Sequence, residues 1–185
     1  MNIVGILGSP RKDSNSSIVV REILEIARTR GATAEEFLLN QMSFKGCQAC
    51  DLCKKAIDYC PVNDDLAPLL EKTRQADVVV MGTPVYFGEV SGQFKSFFDR
   101  TYSFLDPDFA GRLTGNRKSV FVIAQGQEGE EVYQDIYPRY QYWLREYGFA
   151  ENHLIRITGC NDAGGVRQMA PIMQMARDVA DTLMK

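Results

Sequence analysis

The sequence predicts an α/β protein whose doubly wound sheet has five parallel strands. Short β-branched and apolar runs, such as NIVGIL and DVVVMGTP, alternate along the chain with longer segments of helical periodicity. Runs that are apolar on both faces are typical of strands buried between two helical layers. Regular alternation of strands and helices implies right-handed crossovers and a parallel sheet. We therefore expect three layers, with helices covering both faces of the sheet.

The individual elements follow from local patterns. In the first helix, apolar residues recur at helical spacing from Ile18 to Ala27, and Gly31 ends the run. Acidic residues begin the next helix, where the helix dipole favours them. The predicted strands cover 2–7, 33–39, 77–84, 118–126 and 150–159, although the composition of 33–39 also allows a helix. The predicted helices cover 17–30, 64–76, 91–105, 130–148 with an interruption or kink near Pro138, and 166–184.

Length and composition favour one globular domain that spans residues 1–185. Hydrophobic residues make up 45% and charged residues 24%, which excludes a disordered or fibrous class. A net charge of -3 without a local basic run argues against nucleic acid as a partner. No apolar stretch approaches the roughly 20 residues that span a bilayer, and the N-terminus lacks a signal-peptide pattern. We expect a cytoplasmic protein without a membrane partner, and therefore reduced thiols.

The doubly wound layout also predicts where a ligand binds. In such sheets, ligands lie outside the carboxyl ends of the strands, near the point where strand order reverses. Three loops follow strands at that edge, at residues 8–16, 82–91 and 125–130. These loops are the candidate binding site.

The first loop, GSPRKDSNS, has the composition of a phosphate site. It matches neither the GxxxxGK[ST] pattern nor the GxGxxG pattern. It supplies instead small polar groups, one cation and the free N–H groups of a helix start, which suit a phosphomonoester. The alternative is that these residues only form a turn and a helix cap. The polar groups are Ser9, Arg11, Ser14, Asn15, Ser16 and Ser17.

The second loop offers a surface for a planar ring. Its glycines and proline expose backbone amides, and Tyr86 and Phe87 are adjacent aromatic residues directly after the clearest buried strand. The alternative is that this aromatic pair merely packs on the core. A phosphate loop predicted at the same sheet edge favours a ring ligand.

These two loops together resemble a known family. GSPRKDSNSS followed by TPVYFGEVSGQFKSFFDR is similar to the NADPH-dependent FMN reductase group of flavodoxin-like proteins. With the cysteine-rich stretch between them, the chain resembles the iron-sulfur flavoproteins of anaerobic archaea and bacteria. The resemblance implies a flavodoxin-like fold with a cysteine-rich loop inserted after the second strand, at about residues 45–63.

The same resemblance assigns residues to FMN. It implies that Ser9, Arg11, Asn15 and Ser16 hold the FMN phosphate. It implies that the isoalloxazine is lined by Pro84, Val85, Tyr86, Phe87 and Gly88. It places Gln125 and Gly126 near the ring or the ribityl chain.

Four cysteines occur within KGCQACDLCKKAIDYCP, with the spacing Cys47-x2-Cys50-x2-Cys53-x6-Cys60. Four thiolates can ligate a [4Fe-4S] cluster, one per iron, and two-residue spacings let consecutive cysteines wrap around it. Structural zinc more often uses two separated CxxC pairs, and free or redox-active thiols are a third alternative. Spacing and resemblance together favour the cluster. Cys160 stands apart, and we expect it to be a small apolar residue in the core.

The remaining candidates have weaker signals. His153, the only histidine, lies on a terminal strand without a partner motif, so we expect a structural role. Trp143 and its neighbouring tyrosines belong to one helix, which either packs on the sheet or forms a subunit interface. Lys54 and Lys55 could receive an acidic electron donor such as ferredoxin, or simply be solvated. The resemblance implies a homodimer or a homotetramer.

The predicted function is an FMN-dependent oxidoreductase that relays electrons between a [4Fe-4S] cluster and FMN. The cofactors would carry the chemistry, so no side chain is assigned as a catalytic acid or base. The first alternative is a cluster-free reductase of FMN or quinone that uses NAD(P)H as its donor. The second is a non-enzymatic electron carrier or redox-sensing module.

Overall fold

The computed structural model describes residues 1–185, and it confirms the predicted α/β sheet. The five parallel strands stand in the order β2-β1-β3-β5-β6, which is the doubly wound arrangement. Their bounds are β1 Asn2–Leu7, β2 Thr33–Leu38, β3 Val78–Tyr86, β5 Arg117–Ala124 and β6 Phe149–Ile157. A two-residue strand, β4 Glu89–Val90, pairs antiparallel with the end of β3.

The helices follow the strands as predicted, with shifted ends. Their bounds are α1 Asn15–Thr29, α2 Leu52–Lys55, α3 Leu66–Gln75, α4 Gly92–Arg100, α5 Ile136–Tyr147 and α6 Ala170–Leu183. The predicted helix 91–105 ends early, because a 3-10 turn replaces its last part at Thr101–Phe104. None of the helices combines the length and apolar character that crossing a bilayer requires.

The predicted helix 130–148 is interrupted just before Pro138, and it is not kinked there. A 3-10 turn covers Glu130–Tyr133, and α5 begins only at Ile136. Pro138 therefore lies in the first turn of α5. Proline is tolerated there, because N–H groups in the first turn make no intrahelical hydrogen bonds. The helix continues without interruption to Tyr147, and Gly148 ends it at φ 116°.

Alternation along each strand builds two cores, one on each face of the sheet. On β1, Ile3 faces the core beneath α1 and α6, whereas Val4 faces the core beneath α3, α4 and α5. The same alternation along β3 and β5 explains why these strands read as continuous apolar runs. The first core is aliphatic, while the second contains Phe94, Phe121 and other aromatic rings.

Gly82 allows α1 to begin close to the sheet. A Cβ at this position would meet Val20 Cγ2 at 2.7 Å and the Ser16 carbonyl oxygen at 3.1 Å. The first turn of α1 therefore lies directly over the end of β3. The first two predicted loops become neighbours for this reason.

Candidate functional site

A cleft of about 260 Å³ lies at the carboxyl ends of β1, β3, β5 and β6. It brings together residues from all three predicted loops, because those strands are adjacent in the sheet. The predicted residues that line it are Ser9, Arg11, Ser14, Asn15, Pro84, Val85, Tyr86, Gln125 and Gly126. The predicted residues Ser16, Phe87 and Gly88 do not line it.

The first loop is anchored by its own serines. Ser14 is the N-cap of α1, and its hydroxyl oxygen accepts a hydrogen bond from the Ser17 N–H at 3.4 Å. Ser16 is fully buried, and its hydroxyl lies 3.0 Å from that of Ser14. Arg11 is exposed, with only a 3.4 Å contact from its guanidinium to the Asn161 carbonyl. The loop therefore offers an exposed cation beside a capped helix N-terminus.

Both the amide nitrogen and the amide oxygen of the Asn15 side chain form hydrogen bonds within the protein. Its Nδ2 group donates to the carbonyl oxygens of Cys160 at 3.1 Å and Asp162 at 2.9 Å. Its Oδ1 atom accepts from the Val166 N–H at 3.2 Å. This side chain connects the start of α1 to the loop after β6. Its contacts are those of an anchor for that loop.

The second loop is a tight hairpin with an exposed aromatic tip. Phe87 and Gly88 connect β3 to β4 with φ angles of 51° and 86°, as in a type I′ turn. The left-handed region is unfavourable for phenylalanine, yet the Phe87 ring is fully exposed. Strain of this kind at an exposed aromatic residue is typical of binding loops.

Buried hydroxyls connect the first two loops. The Ser91 hydroxyl donates to the Gly8 carbonyl at 2.5 Å, and the Ser91 N–H donates to Thr83 Oγ1 at 3.1 Å. The Gly8 N–H also donates to the Gly82 carbonyl at 2.8 Å. Because these groups are buried, the spacing between the two loops is fixed without a ligand.

Gln125 in the third loop is buried and fully engaged. Its Oε1 atom accepts from Arg156 Nη1 at 3.0 Å, and its Nε2 group donates to the Gly129 carbonyl at 2.8 Å. Burial lowers the pKa of Arg156, opposed by Glu130 and Asp135. The Gln125 N–H donates to the Ile157 carbonyl at 2.8 Å, and the Gln125 carbonyl accepts from the Cys160 N–H at 3.4 Å. Gln125 therefore shapes the third loop, and Gly126 beside it lines the cleft.

The loop after β6 was missed by the sequence reasoning. It contributes Cys160, Asn161 and Ala163 to the cleft. Cys160 is partly exposed there and is not the fully buried core residue expected from the sequence. The signal was available, since β6 ends at the same sheet edge and a glycine-rich stretch, GCNDAGG, follows it.

The four clustered cysteines lie together in one segment, residues 45–63, which follows β2. Cys47 and Cys50 are exposed, Cys60 is half-buried and Cys53 is buried. Burial raises the pKa of Cys53, and the other three sulfurs add to the rise, against the lowering influence of Lys54. All five cysteines of the chain are free thiols. No group of three or more histidine, cysteine or acidic side chains is placed to hold a metal ion.

Three cationic side chains attach the cysteine segment to the rest of the protein. Arg74 donates to the Asp58 carbonyl at 2.8 Å, and Arg112 donates to the Cys53 carbonyl at 3.0 Å. Lys54 donates to the carbonyl oxygens of Tyr102 and Leu105, whereas Lys55 is exposed. Burial lowers the pKa of Lys54. Of the two lysines expected to receive a partner, Lys55 is the exposed one, and it pairs only loosely with Asp51 at 3.7 Å.

Arg100 is the most buried of these cations. Its side chain is 0% exposed, and it pairs with Asp64 at 2.9 Å. Burial acts to raise the pKa of Asp64, but hydrogen bonds from Arg100 and from the Lys45 and Leu66 N–H groups outweigh it and lower that pKa. Arg100 also donates from Nε to the Cys60 sulfur at 3.0 Å.

The aromatic helix α5 serves the core on one side and a surface cavity on the other. Tyr140 and Tyr147 are buried, and burial raises the pKa of Tyr147 to about 12. Tyr142 and Trp143 are exposed, and Trp143 lines a cavity of about 500 Å³ between α4 and α5. Core packing is therefore confirmed for one face of this helix, and a subunit interface on the exposed face stays a prediction.

His153 lies on the edge strand β6, away from the cleft. Its Nε2 atom is 2.6 Å from Glu151 Oε1, and this contact with the histidine lowers the pKa of Glu151. It lines neither the cleft nor the cavity between α4 and α5. Its contact is a local side-chain hydrogen bond on the partly exposed edge strand.

Comparisons with known proteins agree with the fold and the motifs. The family model described as NADPH-dependent FMN reductase matches residues 1–142. An iron-sulfur flavoprotein of Methanocaldococcus jannaschii is 39% identical over 101 residues, which cover 55% of this chain and 52% of the relative. Another, from Methanosarcina thermophila, is 36% identical over 110 residues, covering 60% of this chain and 57% of the relative. The chain thus spans about half the length of the curated relatives it matches.

Solved structures share the fold at low sequence identity. An NAD(P)H:quinone oxidoreductase from Methanothermobacter marburgensis superposes with a TM-score of 0.79 at 19% identity, covering 99% of this chain and 96% of that one. An FMN-dependent NADH-azoreductase from Bacillus anthracis, solved with FMN, gives a TM-score of 0.77 at 15% identity and covers 100% of both chains. At these identities the likeness establishes the fold alone.

Proposed function

Because the chain belongs to the NADPH-dependent FMN reductase family, we propose that it is an oxidoreductase that binds FMN in the cleft at the carboxyl ends of its strands. The observation that carries this proposal is the meeting of the serine-rich loop, the β3–β4 hairpin and the third loop around one cleft. This is the place where doubly wound sheets bind ligands. The family match includes all three loops.

The first loop would hold the phosphate. The N–H groups in the first turn of α1 have no intrahelical acceptors, and the helix dipole favours a dianion there. Ser9 and Ser14 line the cleft beside them, and the exposed Arg11 can turn towards the phosphate. Asn15 and Ser16 would act by shaping this loop, since their polar side-chain groups are engaged within the protein.

The β3–β4 hairpin would contact the isoalloxazine ring. Pro84, Val85 and Tyr86 line the cleft, and Phe87 extends from the tip with its ring exposed. A flat apolar surface beside free backbone groups fits a tricyclic ring with polar edges. Bound FMN supplies hydride and single-electron chemistry, while the chain binds and orients it.

We further propose that Cys47, Cys50, Cys53 and Cys60 ligate a [4Fe-4S] cluster. The donor set fits in kind and number, because four free thiols lie in one short segment and three of the sulfurs influence the pKa of the fourth. The names of the curated relatives support the same assignment. The sulfurs are not gathered as a metal-binding group in the structure, so binding requires the segment to tighten. The cluster would supply one-electron chemistry.

A second candidate is a cluster-free reductase that takes hydride from NAD(P)H. It is favoured by the four cysteine sulfurs, which do not form a metal-binding group in the structure. The fold and the FMN cleft serve this function equally well. The two candidates differ in iron content, since a reductase of this kind needs no one-electron relay. We also infer that the protein is a homodimer or homotetramer. We infer further that an acidic ferredoxin-type donor would approach the exposed Lys55.

The FMN proposal is tested by titrating FMN into flavin-free protein and following the quenching of flavin fluorescence. We expect a dissociation constant at or below the micromolar range and one FMN per chain. Addition of NADPH without oxygen should then bleach the flavin absorbance if nicotinamide is the donor. Failure of the folded protein to bind FMN at all would overturn the proposal.

The cluster proposal is tested by iron and acid-labile sulfide analysis of protein prepared without oxygen. We expect about four of each per chain. Cys50→Ser should abolish the cluster absorbance and leave FMN bound, whereas the control Cys160→Ser, which changes a thiol outside the segment, should retain the cluster. Flavin-replete protein with negligible iron would establish the cluster-free reductase instead.

A further inference from the structure

The guanidinium of Arg100 reaches both ends of the cysteine segment from the end of α4. Its Nη1 group donates to the Lys45 carbonyl at 3.0 Å, before the first cysteine. Its Nη2 group donates to the Val62 carbonyl at 2.9 Å, after the last cysteine. Its Nε group donates to the Cys60 sulfur at 3.0 Å. One side chain therefore joins both ends of the segment and one of its cysteines. The ends are also joined directly, because the Lys45 N–H donates to Asp64 at 3.0 Å and the Ser43 N–H donates to Asp65 at 2.6 Å.

This arrangement uses the special geometry of arginine. A guanidinium presents five N–H donors in a rigid plane, and here they reach two carbonyls, a carboxylate and a sulfur. An unpaired buried charge is costly, so Asp64 at 2.9 Å compensates the charge of Arg100. Lysine has no planar fork and cannot satisfy these acceptors together.

The segment needs such a closure because its own backbone is irregular. Ala49 and Asp51 have left-handed φ angles of 50° and 55°, and its only helix is the four-residue α2. Arg112 holds the middle of the segment at the Cys53 carbonyl, and Arg74 holds it at the Asp58 carbonyl. Neither of these two contacts Cys60 or joins the two ends.

We propose that Arg100 is the positioning residue of the cysteine segment: it holds residues 45 and 62 together and fixes the Cys60 sulfur, whether or not metal is bound. The part that concerns a metal rests on the cluster site proposed above. A donor to a ligand sulfur orients that ligand and adjusts the potential of the metal group it binds. Arg100 would therefore act through Cys60, without contacting substrate or flavin.

The first test measures hydrogen exchange of backbone amides at residues 45–64 in metal-free, reduced protein. Arg100→Lys keeps the charge beside Asp64 but loses the fork, and we expect exchange of the segment at least about tenfold faster than in the wild type. The matched control is Arg117→Gln, because Arg117 also donates to backbone carbonyls, those of Thr114 and Ala76, at the opposite end of the sheet. The control should leave exchange at 45–64 unchanged.

The second test uses the reconstituted cluster. Loss of an outer partner of a metal ligand typically lowers metal affinity by about 10–100-fold, and we expect Arg100→Lys to lose iron to a chelator correspondingly more readily. The cluster that remains should have a more negative midpoint potential, because the hydrogen bond from Arg100 Nε to the Cys60 sulfur is lost. A merely structural role for Arg100 would not move the potential.

The outcomes separate this proposal from the cluster proposal. Wild-type protein without iron would refute the cluster, while the metal-free exchange experiment would still decide the role of Arg100. Equal exchange at 45–64 in wild type and Arg100→Lys would overturn the positioning role. Arg100→Gln is the stronger variant, and if it fails to fold, as judged by circular dichroism and FMN binding, Arg100→Lys decides.

Discussion

The cleft and the cysteine segment both follow the carboxyl ends of strands, but different forces hold them. The cleft is fixed by backbone groups of adjacent strands and by small buried side chains, such as Ser91 and Asn15. The cysteine segment is held by long cationic side chains, namely those of Lys54, Arg74, Arg100 and Arg112. The sheet therefore determines the shape of the cleft, whereas the conformation of the cysteine segment depends on a few charged side chains.

The largest expected effect is at Asp64, the carboxylate partner of Arg100. Asp64→Asn should lower the free energy of unfolding by about 3–5 kcal/mol, because a buried cation loses its counter-charge. The control is Asp65→Asn, whose carboxylate is exposed and accepts from the Ser43 N–H at 2.6 Å, and we expect it to cost about 1 kcal/mol. Urea denaturation measures both. Equal losses would show that the segment does not depend on the buried pair.

Acid should weaken the same pair in a graded way. The folded-state pKa of Asp64 lies below its ordinary value of 3.8, so its contribution to stability is present above 3.8 and is lost as pH falls through the folded pKa. The stability difference between wild type and Asp64→Asn should therefore shrink between about pH 5 and pH 2. A difference that stays constant over this range would contradict the assignment.

Two adjacent lysines provide a smaller test of the same idea. Lys54→Gln should cost about 2 kcal/mol, since its ammonium donates to two carbonyls at 2.6 and 2.5 Å. Lys55→Gln should change stability by less than about 0.5 kcal/mol, because its ion pair with Asp51 is exposed and 3.7 Å long. Thermal unfolding of the two variants measures the difference. If Lys55→Gln proves the more damaging, the described contacts do not govern the segment.

Asn15 tests how the cleft is built. Asn15→Ala should weaken FMN and riboflavin equally, by about tenfold, because it releases the loop at 160–166 without removing a phosphate contact. Arg11→Gln is the matched comparison, and it should weaken FMN by about tenfold and riboflavin hardly at all. Fluorescence titrations with the two flavins measure both. Selective loss of FMN binding in Asn15→Ala would make Asn15 a phosphate ligand.

The smallest expected effect is at Phe87. Phe87→Asn should raise stability by about 0.5–1 kcal/mol, because asparagine tolerates the left-handed region better, but it should weaken flavin binding. Phe109→Asn is the control, since Phe109 also has a left-handed φ, 63°, and is exposed away from the cleft. It should leave flavin affinity unchanged, with a smaller stabilisation, because the Phe109 ring packs edge-on against Tyr102. Unchanged flavin affinity in Phe87→Asn would exclude the ring contact.

Sequence reasoning succeeded where local pattern and strand position are sufficient. The apolar runs located the central strands β1, β3 and β5, because a buried parallel strand must be apolar on both faces. The edge strands β2 and β6 are more polar and less buried, and the composition of β2 was also compatible with a helix. The loops after β1, β3 and β5 were placed at one edge because the carboxyl ends of parallel strands lie at the same edge of a sheet. The roles of single polar side chains were harder to predict. The amide side chains of Asn15 and Gln125 are of a type that often binds ligands. In the structure, however, Asn15 donates to the loop after β6, and Gln125 accepts from Arg156 on β6.

By itself, the sequence determined the fold class, the edge at which the cleft lies, the family and the cysteine spacing. These properties follow from periodicity and from short motifs, which are local. Only the tertiary structure decided that Arg100 contacts Cys60 and Asp64, 40 and 36 residues away along the chain. Only it decided that Lys54 donates to two backbone carbonyls while Lys55 stays exposed beside Asp51. The physical reason is that a buried charge must find its partners across the fold, and no local pattern encodes which ones they are.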